Sequence, residues 1–251
     1  MLAFGTTGCT GSPAEATEHP GGDPVAAVRG AADALSRTGS SRARTAMEMT
    51  SGGTRVTVRG TGGFDYTQGV GRLDVVLPQA KGDPITELQA PGALYMKNRG
   101  AGVPRDKWLR LDTTRLTDGN LVSNGATDPC TAAELLRGAR EVEFVGATVL
   151  DGVRVLHYRG VTDLDRAAQS ASPFARGALR AAAEGFAEDE VQFDAYLDER
   201  GRPRKVRHRF TLTEGRAVSV ASTSEYFDFG RPVPVRLPDP ADIYAGTVAA
   251  S

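Results

Sequence analysis

Apolar and polar positions alternate in two-residue steps along most of this chain, and helical spacing interrupts that rhythm at three places. The first interruption opens on Asp23 as N-cap and Pro24 at the first helical position. Val25, Val28, Ala32 and Leu35 then form an apolar stripe, and Gly39 ends it. Strand patterns follow. Residues 44–50 alternate loosely, 54–59 clearly, and Leu73, Val75 and Leu77 mark one face of the next strand. Residues 60–63, three of them glycine, read as a turn between two of these runs. Further strands are expected at 85–90, 93–97 and 107–111.

The second helix is expected over 129–139, opened by Asp128-Pro129. Strands at 141–149 and 153–161 are joined by Leu150-Asp151-Gly152, a hairpin signal. A helical region then covers 164–186 with a break at Ser172-Pro173, and Phe174, Ala178, Leu179, Ala182 and Phe186 give its second half an apolar face. Next comes the clearest hairpin. Val191, Phe193, Ala195 and Leu197 share one face of strand 190–198, and Val206, His208, Phe210 and Leu212 share one face of strand 203–213. With residues 199–202 as the loop, Asp194 falls opposite Arg207, Tyr196 opposite Lys205, and His208 opposite Phe193 on the core side. Lys205, Arg207 and Arg209 then point to solvent. A last strand covers 216–227, and the Pro-rich stretch 231–240 cannot be a central strand. Many consecutive strands with helices inserted at three places make an α+β protein, a large antiparallel sheet covered on one face. Nothing between residues 24 and 240 reads as a linker. The expectation is a flexible segment over 1–24, one domain over 25–240 and a tail over 241–251.

Charge narrows the function classes. Lys and Arg number 30 against 31 Asp and Glu, so the chain lacks the cation surplus that a general nucleic-acid binder needs to displace counterions. No stretch approaches the roughly 18 apolar residues of a membrane span. The two cysteines, Cys9 and Cys130, allow at most one disulfide. Cys130 lies in the first turn of the second helix, where a thiol pKa can be lowered, although a small buried residue is the simpler reading.

Candidate chemistry is sparse. Of three histidines, His19 lies in the flexible segment and His157 and His208 lie mid-strand, none with a partner at metal-ligand spacing. Both strand histidines read as structural. No nucleophile elbow, Ser-x-x-Lys or dinucleotide fingerprint is present, and no pair of carboxylates stands out as acid and base. These absences point away from an enzyme, a metal site or a cofactor. The run from Arg200 to Arg209 holds five Arg and one Lys and could suit an anionic partner. The simpler reading is that Lys205, Arg207 and Arg209 point outward and pair with the acidic strand that carries Asp194 and Asp198.

Residues 1–12 resemble the end of a bacterial lipoprotein signal peptide, in which small residues precede a cysteine that is lipidated. Thr7 and Gly8 suit the two positions before Cys9, whereas Thr6 departs from the usual leucine. A basic region and a long apolar run are missing after Met1. Either the true start lies upstream or the protein is not exported; the former is the working expectation. Residues 12–24, rich in Pro, Gly, Glu and Ala, would serve as the tether.

Several further segments resemble the LolA-like lipoprotein superfamily, in particular the LppX/LprG-type lipoproteins of actinobacteria. They are Ala93-Leu94-Tyr95 with Lys107-Trp108-Leu109-Arg110-Leu111-Asp112, then Asp151-Gly152-Val153 with His157-Tyr158-Arg159-Gly160. The run Ala195-Tyr196-Leu197-Asp198 through Pro203 follows, and last Tyr226-Phe227-Asp228-Phe229-Gly230 ahead of residues 233–238. Their order spans about residues 25–240. The resemblance implies a curved antiparallel sheet, a half-barrel, with helices covering its concave face and apolar space between that can hold acyl chains. It implies no catalytic residue and no cofactor. It implies lipidation at Cys9, attachment to the extracytoplasmic face of the cell membrane, and a lipid or other apolar small molecule as partner. Relatives of this shape also act as envelope sensors, so an interaction module with a filled core is the alternative. The expected ligand space lies between the sheet and the helices at 25–38 and 164–186, with Ala32, Leu35, Phe174, Ala178, Ala182 and Phe186 as lining candidates. Small side chains there leave room for a ligand, and they equally permit close packing.

Overall fold

Alternation of buried and exposed positions lays most of the chain out as strands in a computed structural model that describes residues 21–78, 83–100, 102–122, 128–212 and 218–246. The first six strands are β1 (Ser40–Ser51), β2 (Thr54–Asp65), β3 (Val70–Val76), β4 (Ile85–Ala90), β5 (Ala93–Lys97) and β6 (Leu109–Asp112). The remaining five are β7 (Ala139–Leu150), β8 (Val153–Asp163), β9 (Glu190–Asp198), β10 (Pro203–Leu212) and β11 (Val218–Phe227). All eleven form one antiparallel sheet in the order β6-β5-β4-β3-β2-β1-β11-β10-β9-β8-β7. Two meanders, β1 to β6 and β7 to β11, are therefore zipped together along a single seam, where Thr45 of β1 faces Ser224 of β11. The sheet does not close, and β6 and β7 are its edges. It is the curved α+β half-barrel that the resemblance implies.

The helices are short and lie on one face. They are α1 (Pro24–Arg29), α2 (Ala31–Ser36), α3 (Pro129–Leu135), α4 (Leu164–Ser170) and α5 (Pro173–Gly185). Asp23 caps α1 by accepting the Val25 N–H at 2.9 Å, and Asp128 caps α3 by accepting the Cys130 N–H at 2.9 Å. The first helix breaks at Gly30 into α1 and α2 and stops before Gly39, whose φ of 77° suits only a residue without Cβ. The second is shorter than its sequence pattern: α3 ends at Leu135 and a 3-10 turn, Leu136–Gly138, leads directly into β7. Ser172-Pro173 separates α4 from α5 as its backbone restriction requires.

Because β6 and β7 lie at opposite edges, the connection between them must cross the whole concave face. The described parts of that crossover, residues 113–122 and 128–138, carry Leu121, Val122 and α3 into the core. The crossover is fastened by an ion-pair chain: Glu134 accepts from Arg137 at 2.8 Å and from the Ser172 N–H at 2.8 Å, and Arg137 reaches Asp33 of α2 at 2.7 Å. One carboxylate and one guanidinium thus join α2, α3 and the start of α5.

Residues 60–63 are not a turn. They lie inside β2, which runs unbroken to Asp65. A Cβ at Gly62 would lie 1.8 Å from the Arg72 carbonyl oxygen of β3, and one at Gly63 would lie 2.9 Å from the Val233 side chain. These glycines serve close approach rather than chain reversal. The actual reversal between β2 and β3 is at residues 66–69. The β9–β10 register is as expected, with His208 opposite Phe193, Arg207 opposite Asp194 and Lys205 opposite Tyr196. The Asp151-Gly152 turn between β7 and β8 has positive φ at both residues, 47° and 78°.

Candidate functional site

The sheet register assembles the concave face row by row. One row runs Val58, Met47, Ser222, His208, Phe193 and Gly160 across β2, β1, β11, β10, β9 and β8. A Cβ on Gly160 would lie 2.9 Å from Cζ of Phe193, so that ring occupies the space above the glycine. Phe210, in the same strand as His208, has its ring 5.6 Å from that of Phe186 and 6.1 Å from the imidazole. The face is therefore apolar and aromatic, with a few polar atoms set in it. Among the described residues, Thr45 Oγ1 and His208 Nε2 have no hydrogen-bond partner. Burial, helped by the Arg209 charge, pushes the His208 pKa down to about 3, so the imidazole is neutral at ordinary pH.

One tyrosine ties this face to its roof and another ties the β2–β3 turn to β1. Tyr226 of β11 donates to the Pro129 carbonyl of α3 at 2.6 Å, and Tyr66 shares a 2.6 Å hydrogen bond with Ser41. Cys130 is free and buried beside them. Burial, with the Asp128 and Glu134 carboxylates nearby, holds its thiol well above the usual range. It is an inert packed thiol rather than a nucleophile.

The proposed lining residues fall in distinct surroundings. Ala32 and Leu35 are buried in α2, which packs on β10. Ala178 and Ala182 are buried on α5 with Gly119 of the crossover against them. A Cβ on Gly119 would lie 2.0 Å from the Ala178 carbonyl oxygen and 3.3 Å from the Ala182 Cβ. One turn further on, a Cβ on Gly185 would lie 1.8 Å from the Thr117 carbonyl oxygen. Here small side chains admit the crossover backbone. Half-buried Phe174 covers Gly69 in the β2–β3 turn, and half-buried Phe186 meets Phe210. Cys9 lies outside the described residues.

The outer face uses its charged groups on one another. Asp194 accepts from His157 Nε2 at 2.8 Å, from Arg159 Nε at 3.2 Å and from Arg209. Burial pushes its pKa up, but the bonds from His157, Arg209 and Arg159 outweigh that and hold it below the usual carboxylate range. His157 also stacks on Tyr196 with ring centroids 4.3 Å apart. Lys205 pairs with Glu225 at 3.3 Å and Arg207 with Glu48 at 3.5 Å. Asp198, in contrast, does not pair across the strands: it accepts the amides of Arg200 and Arg202 and holds the Arg202 guanidinium, fixing the β9–β10 turn. Among the described residues, no group of three or more His, Cys, Asp or Glu could hold a metal ion, and no helix is long and apolar enough to cross a membrane. The tyrosine ties were not visible in the sequence, since neither tyrosine has a partner nearby in the chain.

No protein-family model matches this sequence, and no curated protein matches it. Solved structures do match its fold. The lipoprotein LppX of Mycobacterium tuberculosis is 12% identical, with a TM-score of 0.53 over 85% of this chain and 98% of that one. LprF of Mycobacterium bovis is 11% identical, with a TM-score of 0.42 over 86% and 96%. A LolA superfamily protein of Nitrosomonas europaea is 10% identical, with a TM-score of 0.38 over 87% and 96%. The likeness to LppX shows that this chain shares that protein's fold.

Proposed function

We propose that this chain is a non-enzymatic, lipid-anchored protein of the extracytoplasmic membrane face that holds a lipid or other apolar ligand between its sheet and its helices. The observation that carries the reading is the concave face itself, apolar and aromatic across strands from both meanders and covered by short segments that contribute nothing to the sheet's hydrogen bonds. A roof of that kind can separate from its floor without breaking a strand pairing. Each methylene removed from water is worth about 0.8 kcal/mol, so an acyl chain of ten carbons resists transfer through water by roughly 8 kcal/mol unless a protein covers it. The unpartnered Thr45 hydroxyl and the neutral His208 would offer hydrogen bonds to an ester or hydroxyl on such a chain. The anchor rests on Thr7-Gly8-Cys9 and the segment that follows it.

The test is native mass spectrometry with lipid extraction, on protein expressed from an upstream start. A lipid of defined mass should co-purify, and Cys9→Ala should move the protein out of the detergent phase. Protein that carries no lipid, and that fractionates alike with and without Cys9, would end both halves of the proposal. A second reading, an interaction module with a filled core, is favoured by one observation: Thr117 and Gly119 already occupy the small-residue face of α5.

A further inference from the structure

A groove opens to solvent where the C-terminal end of α2, the β9–β10 turn and the segment after β11 meet. Ala34, Arg37, Thr38, Arg200, Arg202 and Phe229 line it together with Gly230, and its volume is about 350 Å³, within the range of small-ligand sites. No carboxylate lines it, and three guanidiniums do. The Phe229 ring is a platform, with the Arg202 guanidinium 4.4 Å and the Arg204 guanidinium 5.2 Å from its centroid. Asp198 holds Arg202 in place at 2.7 Å, and its carboxylate is fully engaged by that side chain and two turn amides. Asp33, one helical turn before Arg37, is engaged by Arg137. Arg37 and Arg200 are exposed and form no ion pair among the described residues. The groove thus presents three guanidiniums and no carboxylate in its lining, in a chain whose net charge is −1.

We infer that this groove binds an anionic group of the phosphate class. Guanidinium forks match phosphate oxygens in pairs, and a concave site strengthens the field that reaches an entering anion. The position suggests what the anion belongs to. Ala34 borders the groove, while Ala32 and Leu35 of the same helix are buried where α2 packs on β10. A ligand whose acyl chains lay under α2 would present its headgroup here. That last step rests on the lipid-holding reading; the anion site itself does not.

The two can be separated by following backbone amides by NMR during titration of the full chain. The probes are inorganic phosphate, dihexanoyl phosphatidylglycerol and dihexanoyl phosphatidylcholine, each added to the parent protein and to the Arg37→Ala/Arg200→Ala double variant. Phosphate and phosphatidylglycerol should shift the Gly201 and Gly230 amides. Phosphatidylglycerol should bind at least tenfold tighter than phosphatidylcholine, and the double variant should lose that tenfold preference, about 1.4 kcal/mol, without a change in melting temperature. Equal binding of the two lipids, unaltered in the variant, would overturn the groove assignment and leave the lipid-holding reading intact. Phosphate shifts at the groove with no binding of either lipid would sustain the anion site and remove the lipid as its source. Phosphate that shifts no amide at the groove would refute the site outright.

Discussion

His208 is a buried imidazole with Nε2 unpartnered, flanked by Phe193 and Phe210. Its pKa falls from 6.5 to about 3 on folding, so between those values the unfolded chain binds a proton that the native protein refuses. Stability must then rise with pH through that window and be lost as pH falls below 6.5, by up to about 1.4 kcal/mol per pH unit. His208→Phe keeps the ring, removes the unpaired nitrogen and removes this slope. Urea unfolding at pH 7.5 and pH 5 should show the variant gaining on the parent by about 1–2 kcal/mol at the lower pH. Parallel pH profiles would mean that His208 finds a partner which keeps its proton. Function bears on the same atom, because a ligand hydroxyl or ester would supply the missing bond. Nothing in the local sequence separates His208 from His157. Both sit mid-strand, and only the fold shows that one is bonded to Asp194 on the outer face while the other faces the core.

At the scale of elements, what alternation encodes was legible and what a distant backbone imposes was not. The β9–β10 hairpin could be registered from sequence because Val191, Phe193, Val206 and His208 repeat at a period of two on both sides of a short loop, and a slip of one residue would turn them all outward. Ser172-Pro173 and Asp151-Gly152 were legible for the same reason, since their constraints are local. The glycines at 60–63 carry the same local signal as a turn, and the sequence offers no means of telling the two apart. Their cause is the Arg72 carbonyl of β3, brought there by pairing. Gly62→Ala should therefore cost more than an ordinary glycine replacement in a strand. Its Cβ meets a paired backbone that cannot move aside, so a loss of about 2–4 kcal/mol is expected, beyond the usual overpacking range only if β2 and β3 separate. Gly22→Ala, with nothing within 4 Å, should change the urea midpoint by nothing measurable. Equal effects of the two would show that β2 relaxes around the new methyl group. The basic groove was legible only in part: the run from Arg200 to Arg209 carries a signal for an anionic partner, whereas Arg37 lies far from it in the chain and shares no spacing that would join it to that run.

At the scale of the whole molecule, the question is whether the space between floor and roof is open or filled, and α5 is where it can be asked. Ala178 and Ala182 lie against Gly119, whose φ of 57° and contact with the Ala178 carbonyl leave no room for a larger residue on either side. In this region, then, smallness serves contact between α5 and the crossover, and any ligand space would lie toward the aromatic rows of β9 and β10 beneath α2 and α3. Ala182→Trp should accordingly cost about 1–3 kcal/mol by overpacking, a fall of roughly 2–12 °C in melting temperature for a domain of this size. It should leave the amount of co-purified lipid per folded molecule unchanged. The opposite pattern, lost lipid with an unchanged melting temperature, would place the ligand against α5 and contradict the packing just described. Should the parent protein carry no lipid at all while Ala182→Trp still lowers the melting temperature, the core is filled throughout. The same fold then serves as an interaction module, and the short helices serve as a lid on a finished core.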